Sequence, residues 1–126
     1  MAKNKVSGFE VPISNMAKAK KFYGSVFDWK LQSMGPGFMA FTTAVDKNQN
    51  PTEPGGINGG FYPRKSKKQY PTMIVTTNSI DETIKKIKKA GGKILSPKHE
   101  IDPGMFMADF ADPDGNEMTL WESTKK

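Results

Sequence analysis

The stretch Val6-Ser7-Gly8-Phe9-Glu10-Val11-Pro12-Ile13-Ser14-Asn15 changes its periodicity part-way along. Phe9, Val11 and Ile13 alternate with Gly8, Glu10 and Pro12, and a period of two predicts a strand with one apolar face. Ser14 and Asn15 then offer N-cap oxygens. Beyond them Ala19, Phe22, Tyr23 and Val26 fall at i, i+3, i+4 and i+7 with lysines opposite, which predicts an amphipathic helix. Residues 29–34 read as a strand, Gly35-Pro36-Gly37 as a turn and residues 38–45 as another strand. Residues 46–56 are polar, with Pro51 and Pro54, and predict a long surface loop. A short fourth strand is expected over 57–62, with Gly59 and Gly60 removing side chains from it.

The pattern then restarts. Residues 63–70, with Arg64, Lys65, Lys67 and Lys68, read as an exposed connector, and residues 73–77 as a β-branched strand. Ser79-Ile80-Asp81-Glu82 has the form of a capping box, in which the serine accepts from the N3 amide and the glutamate reaches back. Ile80, Ile84 and Ile87 form the buried stripe of a second helix, and Gly91-Gly92 ends it. Strands are expected over 93–95, 106–111 and 117–122, the last two joined by the turn Asp112-Pro113-Asp114-Gly115-Asn116. The order is β-α-β-β-β twice, with helix entries Asn15 and Asn78 63 positions apart and the tripeptides Phe38-Met39-Ala40 and Phe106-Met107-Ala108 68 apart. The fold class is therefore α+β: two tandem βαβββ modules forming one cup-shaped mixed sheet with both helices on its outer face. Residues 1–126 are expected to make a single domain, with module one over about 5–62, a connector over 63–71 and module two over about 72–123.

Composition narrows the chemistry. The 126 residues include no cysteine, which excludes a disulfide scaffold, a thiolate nucleophile and Cys-ligated metal. One histidine, His99, excludes sites that need two imidazoles. Net charge is +6, yet Arg64 is the only arginine, and the Lys18/Lys20/Lys21 and Lys85/Lys86/Lys88/Lys89 groups lie on the wet sides of the two helices. They read as solvated faces, so no nucleic-acid partner is expected. No apolar run approaches the roughly twenty residues that span a bilayer, and the first residues lack the apolar core of a secretion signal. A cytoplasmic protein with no membrane partner is expected.

Three stretches together resemble the vicinal oxygen chelate superfamily, which includes the glyoxalase I, bleomycin-resistance and extradiol-dioxygenase proteins. They are Phe9 to Ile13 running into Ala19-Lys20-Lys21-Phe22-Tyr23-Gly24-Ser25-Val26-Phe27-Asp28-Trp29, the helix ending in Ala90-Gly91-Gly92, and Asp112-Pro113-Asp114-Gly115-Asn116-Glu117 with Leu120-Trp121-Glu122. The resemblance implies paired βαβββ modules around a cup, commonly in a dimer, holding a divalent metal or an organic ligand. It also implies four metal-ligand points, which fall here at Gly8, about Gly60, Thr72 and Thr119. Glycine brings no donor and a threonine hydroxyl is a poor one at neutral pH, so no metal or other cofactor is expected. A slip of two residues recovers only Glu10 and Glu117.

Strand parity selects the cup-facing residues independently. With Phe9, Val11 and Ile13 under the helices, Gly8, Glu10 and Pro12 face inward; so do Thr72, Ile74 and Thr76, and Glu117, Thr119 and Trp121. The expected ligand pocket is Gly8, Glu10, Gly60, Thr72, Ile74, Thr119 and Trp121. Glu10 is the best candidate for an acid or base, unless it is a rim carboxylate paired with a lysine. Trp121 either stacks on a flat ligand or fills space. Asp109 reads either as a pocket group or, the favoured reading, as an exposed strand residue, and His99 as a surface residue in a loop rather than a general base. Asp112-x-Asp114-Gly115 lacks the later ligands of a calcium loop, and residues 55–60 lack the lysine and helix of a phosphate loop. Those glycines are read as letting a ligand or partner chain approach the backbone.

Three functions follow as expectations. The first is a glyoxalase-like protein that binds a small organic molecule without a metal. The second is a metal-independent lyase or isomerase, of glyoxalase or dioxygenase type, acting on a small carbonyl compound through Glu10. The third is an interaction module whose cup its own side chains fill. A homodimer is expected, because open sheets expose edges.

Overall fold

The computed structural model describes residues 4–124. The element order is β1 Val6–Ile13, α1 Met16–Phe27, β2 Lys30–Met34, β3 Gly37–Phe41 and β4 Asn58–Pro63, then β5 Thr72–Thr76, α2 Ile80–Lys89, β6 Lys93–Asp102, β7 Met105–Ala111 and β8 Glu117–Ser123. The α+β class and the twice-used β-α-β-β-β order are those expected. The backbone forms two compact units, Gly8–Pro71 and the chain from Thr72 together with the residues up to Ser7.

In the first unit the strands lie in the order β2-β3-β4-β1, with β1 parallel to β4 and the other pairs antiparallel. Phe9, Val11 and Ile13 pack against Ala19, Phe38, Ala40 and Phe61, as their alternation requires. The Phe38 and Phe61 rings stack at 4.6 Å, and Phe9 meets Phe61 edge-on at 6.1 Å. Gly59 is a packing glycine: the Phe9 ring lies 2.4 Å from where its Cβ would be, so the space belongs to the core and not to a ligand. Asn15 caps α1, its Oδ1 accepting from the Lys18 amide at 3.0 Å. The helix ends on Asp28 in the left-handed region, φ 57°.

The apolar stripe of α1 is only half used. Met16, Ala19 and Tyr23 face the core, whereas Phe22 is 53% and Val26 54% exposed. The i, i+3, i+4, i+7 pattern spans two columns of the helix, and the sheet covers the Ala19–Tyr23 column alone. The connector is exposed, as expected, and Arg64 ties it down: its amide donates to the Ile13 carbonyl at 2.8 Å and its guanidinium to the Gln69 carbonyl at 2.5 Å.

The second unit repeats the order as β5-β8-β7-β6, again with first and last strands parallel. Ile80, Ala108 and Leu120 are buried with Val75, Ile84, Ile87, Phe106 and Phe110 around them. The repeated tripeptides thus hold equivalent places, Phe38 and Ala40 in one core and Phe106 and Ala108 in the other. Residues before Gly8 complete β5: Thr76 donates from its amide to the Lys5 carbonyl at 2.9 Å and from its hydroxyl to Ser7 Oγ at 2.5 Å.

Ser79 caps α2 by accepting from the Glu82 amide at 3.1 Å, but the Glu82 carboxylate pairs with Lys85 at 3.4 Å rather than reaching back. Instead, Glu122 of β8 accepts from the Ile80 amide at 2.7 Å, both residues being buried. Strand β6 also runs well past the expected 93–95. Register shifts on both sides of Ser96 and before Asp102 let the strand pass Pro97, which has no amide hydrogen, so His99 stands on a strand and not in a loop. The β7–β8 turn is as expected: Asp112 accepts from the Asp114 and Asn116 amides at 2.9 and 2.8 Å and from Asn116 Nδ2 at 3.0 Å. Among the described residues, no helix is long and apolar enough to cross a membrane.

Candidate functional site

In each unit the sheet has one face under its helix and one turned away from it. In the first unit the turned-away face carries Gly8 and Glu10 of β1, in register with Asn58 and Gly60 of β4. Glu10 and Gly60 are half-buried and Gly8 buried. The thioether of Met39, from β3, comes within 3.9 Å of the point a Gly60 Cβ would occupy. Asn58, which sequence reasoning did not single out, is 8% exposed. Its Oδ1 accepts from the Thr42 and Thr43 amides at 2.8 and 3.3 Å, which fixes the orientation of the amide. Its Nδ2 is buried with no hydrogen-bond partner among the described residues. Such a donor costs about 1–3 kcal/mol until an acceptor reaches it. The available clue was an amide two positions before Gly60, on the same parity, in a strand otherwise of glycine, aromatic residues and a terminal proline.

In the second unit the turned-away face carries Thr72, Ile74 and Thr76 of β5 and Thr119 and Trp121 of β8, with Ile74 opposite Thr119 and Thr76 opposite Trp121. Strand β7 adds Met107 opposite Trp121 and Asp109 opposite Thr119. Strand β6 adds Ser96 beside Asp109 and His99 beside Met107. Asp109 is half-buried rather than exposed as expected, and the buried Thr119 hydroxyl donates to its Oδ1 at 2.8 Å. Thr119 therefore spends its proton on a neighbouring carboxylate. Alternation with Phe106, Ala108 and Phe110 could have placed Asp109 on this face.

The metal points implied by the resemblance fit a cation poorly. Gly8 and Gly60 have no donor atom, and the Thr119 hydroxyl is directed to Asp109. Among the described residues, no three His, Asp or Glu side chains group closely enough to hold a metal ion.

The titratable groups with clear shifts lie elsewhere and are structural. A hydrogen bond from Lys98 to Asp81 at 3.0 Å holds that ammonium above its ordinary value, on the α2 side, where it also sits 4.7 Å from the centre of the Phe106 ring. Asn116 side-chain and backbone bonds hold the Asp112 carboxyl below its ordinary value. An apolar hollow of about 130 Å³, bounded by Ile87, Ala90, Phe110 and Pro113, opens on that side too.

Residues 5–120 match the Glyoxalase/Bleomycin resistance protein/Dioxygenase superfamily. The chain belongs to that superfamily. A glyoxylase-like domain-containing protein from Didymella fabae is 30% identical over 116 residues, covering 88% of each chain. Among solved structures, a hypothetical protein from Bacillus halodurans C-125 superposes with a TM-score of 0.68 at 14% identity, covering 99% of this chain and 98% of that one. Streptomyces coelicolor methylmalonyl-CoA epimerase in complex with 2-nitronate-propionyl-CoA gives 0.67 at 10% identity, covering 98% and 100%. At such identities the structural likeness is one of superfamily fold.

Proposed function

We propose that this superfamily member binds a small organic molecule on its turned-away sheet faces without using a metal. The observation that carries the reading is the Asn58 amide, held in place by two backbone donors while its own NH₂ group is buried and unsatisfied. A carbonyl, carboxylate or hydroxyl oxygen of a ligand would accept from it. In the first unit Glu10 shares the face of Asn58 with Gly8 and Gly60, whose missing side chains leave room for an organic guest. The second unit's own turned-away face carries the Thr72 and Thr119 hydroxyls, Ile74 and the Trp121 indole. The donor-poor metal points support a metal-free reading.

The test is a panel of small carbonyl, aromatic and amine compounds scored by melting temperature, before and after treatment with chelator. A ligand at a hundred times its Kd stabilises by about 2.7 kcal/mol, well within detection. At least one compound should raise the melting temperature equally in both samples. No shift from any compound, or a shift abolished by chelator, rejects the proposal.

A second reading, a lyase or isomerase acting on a small carbonyl compound, is favoured by one observation. Glu10 is a half-buried carboxylate in register with Gly60, which leaves space beside it for a substrate. The epimerase among the fold neighbours is in keeping with it. Glu10→Gln should abolish turnover and leave the circular dichroism unchanged; undiminished turnover removes Glu10 from the reaction. The proposal also takes the protein to be a cytoplasmic homodimer. The β2 and β6 strands, each at the end of its unit's strand order, and the exposed Phe22, Val26 and Phe27 support self-association.

A further inference from the structure

Among the described residues, no ion pair meets Asp109. Its register neighbours on either side are the hydroxyl residues Thr119 and Ser96, and the next rung along β7 carries Met107 with Trp121 and His99. The Thr119 hydroxyl occupies Oδ1 at 2.8 Å, and among the described residues Asp109 makes no ion pair. A half-buried carboxylate in that condition is costly, because water is partly withdrawn and no cation replaces it.

The charge distribution of the second unit sharpens the point. The chain is +6 overall, yet Lys85, Lys86, Lys88 and Lys89 are exposed on α2, and Lys98 turns to Asp81 on that same side. On the turned-away face of the second unit, strand register brings Asp102, Asp109 and Glu117 together with Lys93 and His99, and Lys93 and Glu117 both flank Ala111.

We propose that Asp109 is the recognition residue for the ammonium group of a small organic amine, with Ser96 and Thr119 as hydroxyl neighbours and the Trp121 indole as the apolar wall for the amine's body. This rests on the small-molecule reading above and adds the chemical class of the ligand. The free Asp109 oxygen accepts from the ammonium, supplying the cation that the site lacks. The Thr119 bond holds the carboxylate plane so that Oδ2 is presented in one orientation.

Three nearly isosteric probes test it: 2-phenylethylammonium, 2-phenylethanol and phenylacetate, titrated while following the Trp121 indole N–H in ¹⁵N spectra. The ammonium should bind at least about tenfold more tightly than the alcohol, and phenylacetate more weakly than either. Asp109→Asn retains an oxygen for the Thr119 hydroxyl, so the fold should persist, as unchanged circular dichroism would verify. That variant should weaken the ammonium by about tenfold and leave the alcohol within about twofold. Equal binding of the three probes, or an unchanged ammonium affinity in Asp109→Asn, overturns the assignment while the small-molecule reading stands on its own panel. Failure of all three probes together with a silent panel overturns both.

Discussion

Replacing Glu122 tests how the second helix is fixed to its sheet. The Ile80 amide is the first donor of α2 and has no acceptor within its own helix. It points at Glu122 Oε1 at 2.7 Å, with Ile80 fully buried and Glu122 only 9% exposed. Glu122→Ala leaves that amide buried and unsatisfied, a cost of about 1–3 kcal/mol. It also removes a negative charge from the positive end of the helix, worth about 0.3–1 kcal/mol and more when partly buried. The sum is about 1.3–4 kcal/mol. For 126 residues the unfolding entropy is about 0.26 kcal/mol/K, so the melting temperature should fall by about 5–15 °C. Glu122→Gln keeps an acceptor oxygen and loses only the charge, so it should cost about 1 kcal/mol or less. Thermal and urea unfolding followed by circular dichroism at 222 nm measure both. The reasoning is refuted if the alanine variant loses under about 1 kcal/mol, or if glutamine costs as much as alanine.

Three further outcomes are expected. Asp28→Gly should gain about 0.5 kcal/mol in urea unfolding, because a Cβ is disfavoured at φ 57° while glycine pays some chain entropy; a loss of stability would contradict this. Gly59→Ala should cost about 1–3 kcal/mol, since its methyl would meet the Phe9 ring at 2.4 Å, and a neutral effect would mean the ring moves freely. The Asp112 carboxyl titrates below its ordinary 3.8 when folded, so its contribution is present above that value and lost as pH falls through the lower folded value. Asp112→Ala should therefore flatten the pH dependence of melting temperature below about pH 4, and an unchanged acid limb would count against it.

Local periodicity was enough to read the strand-to-helix passages at Phe9–Ala19 and Met73–Ile84, because it records which side of an element meets the core. It could not say that α1 buries one apolar column and exposes Phe22 and Val26, since sheet coverage is decided by residues far along the chain. The reach of β6 past Pro97 was hidden for a similar reason: the register shifts that accommodate a proline belong to the pairing with β7. Strand parity put Thr119 and Trp121 on the face opposite Val75 and Leu120, two residues that pack in the core. Asn58 escaped notice, and Asp109 was read as more exposed than it is, because the meaning of both comes from cross-strand partners. A carboxylate ten positions from its threonine, and an amide held by backbone 15 and 16 positions away, leave no periodic trace.

Lys5 and Ser7, which precede Gly8, bond to Thr76 of the second unit. Dividing the gene between Pro71 and Thr72 would therefore not yield two whole building blocks. The later fragment would lose the acceptors for a backbone amide and a hydroxyl of its opening strand, and the earlier one would carry a loose leader. Adding the leader peptide back to the later fragment, in trans or by circular permutation, is the natural way to reconstitute it.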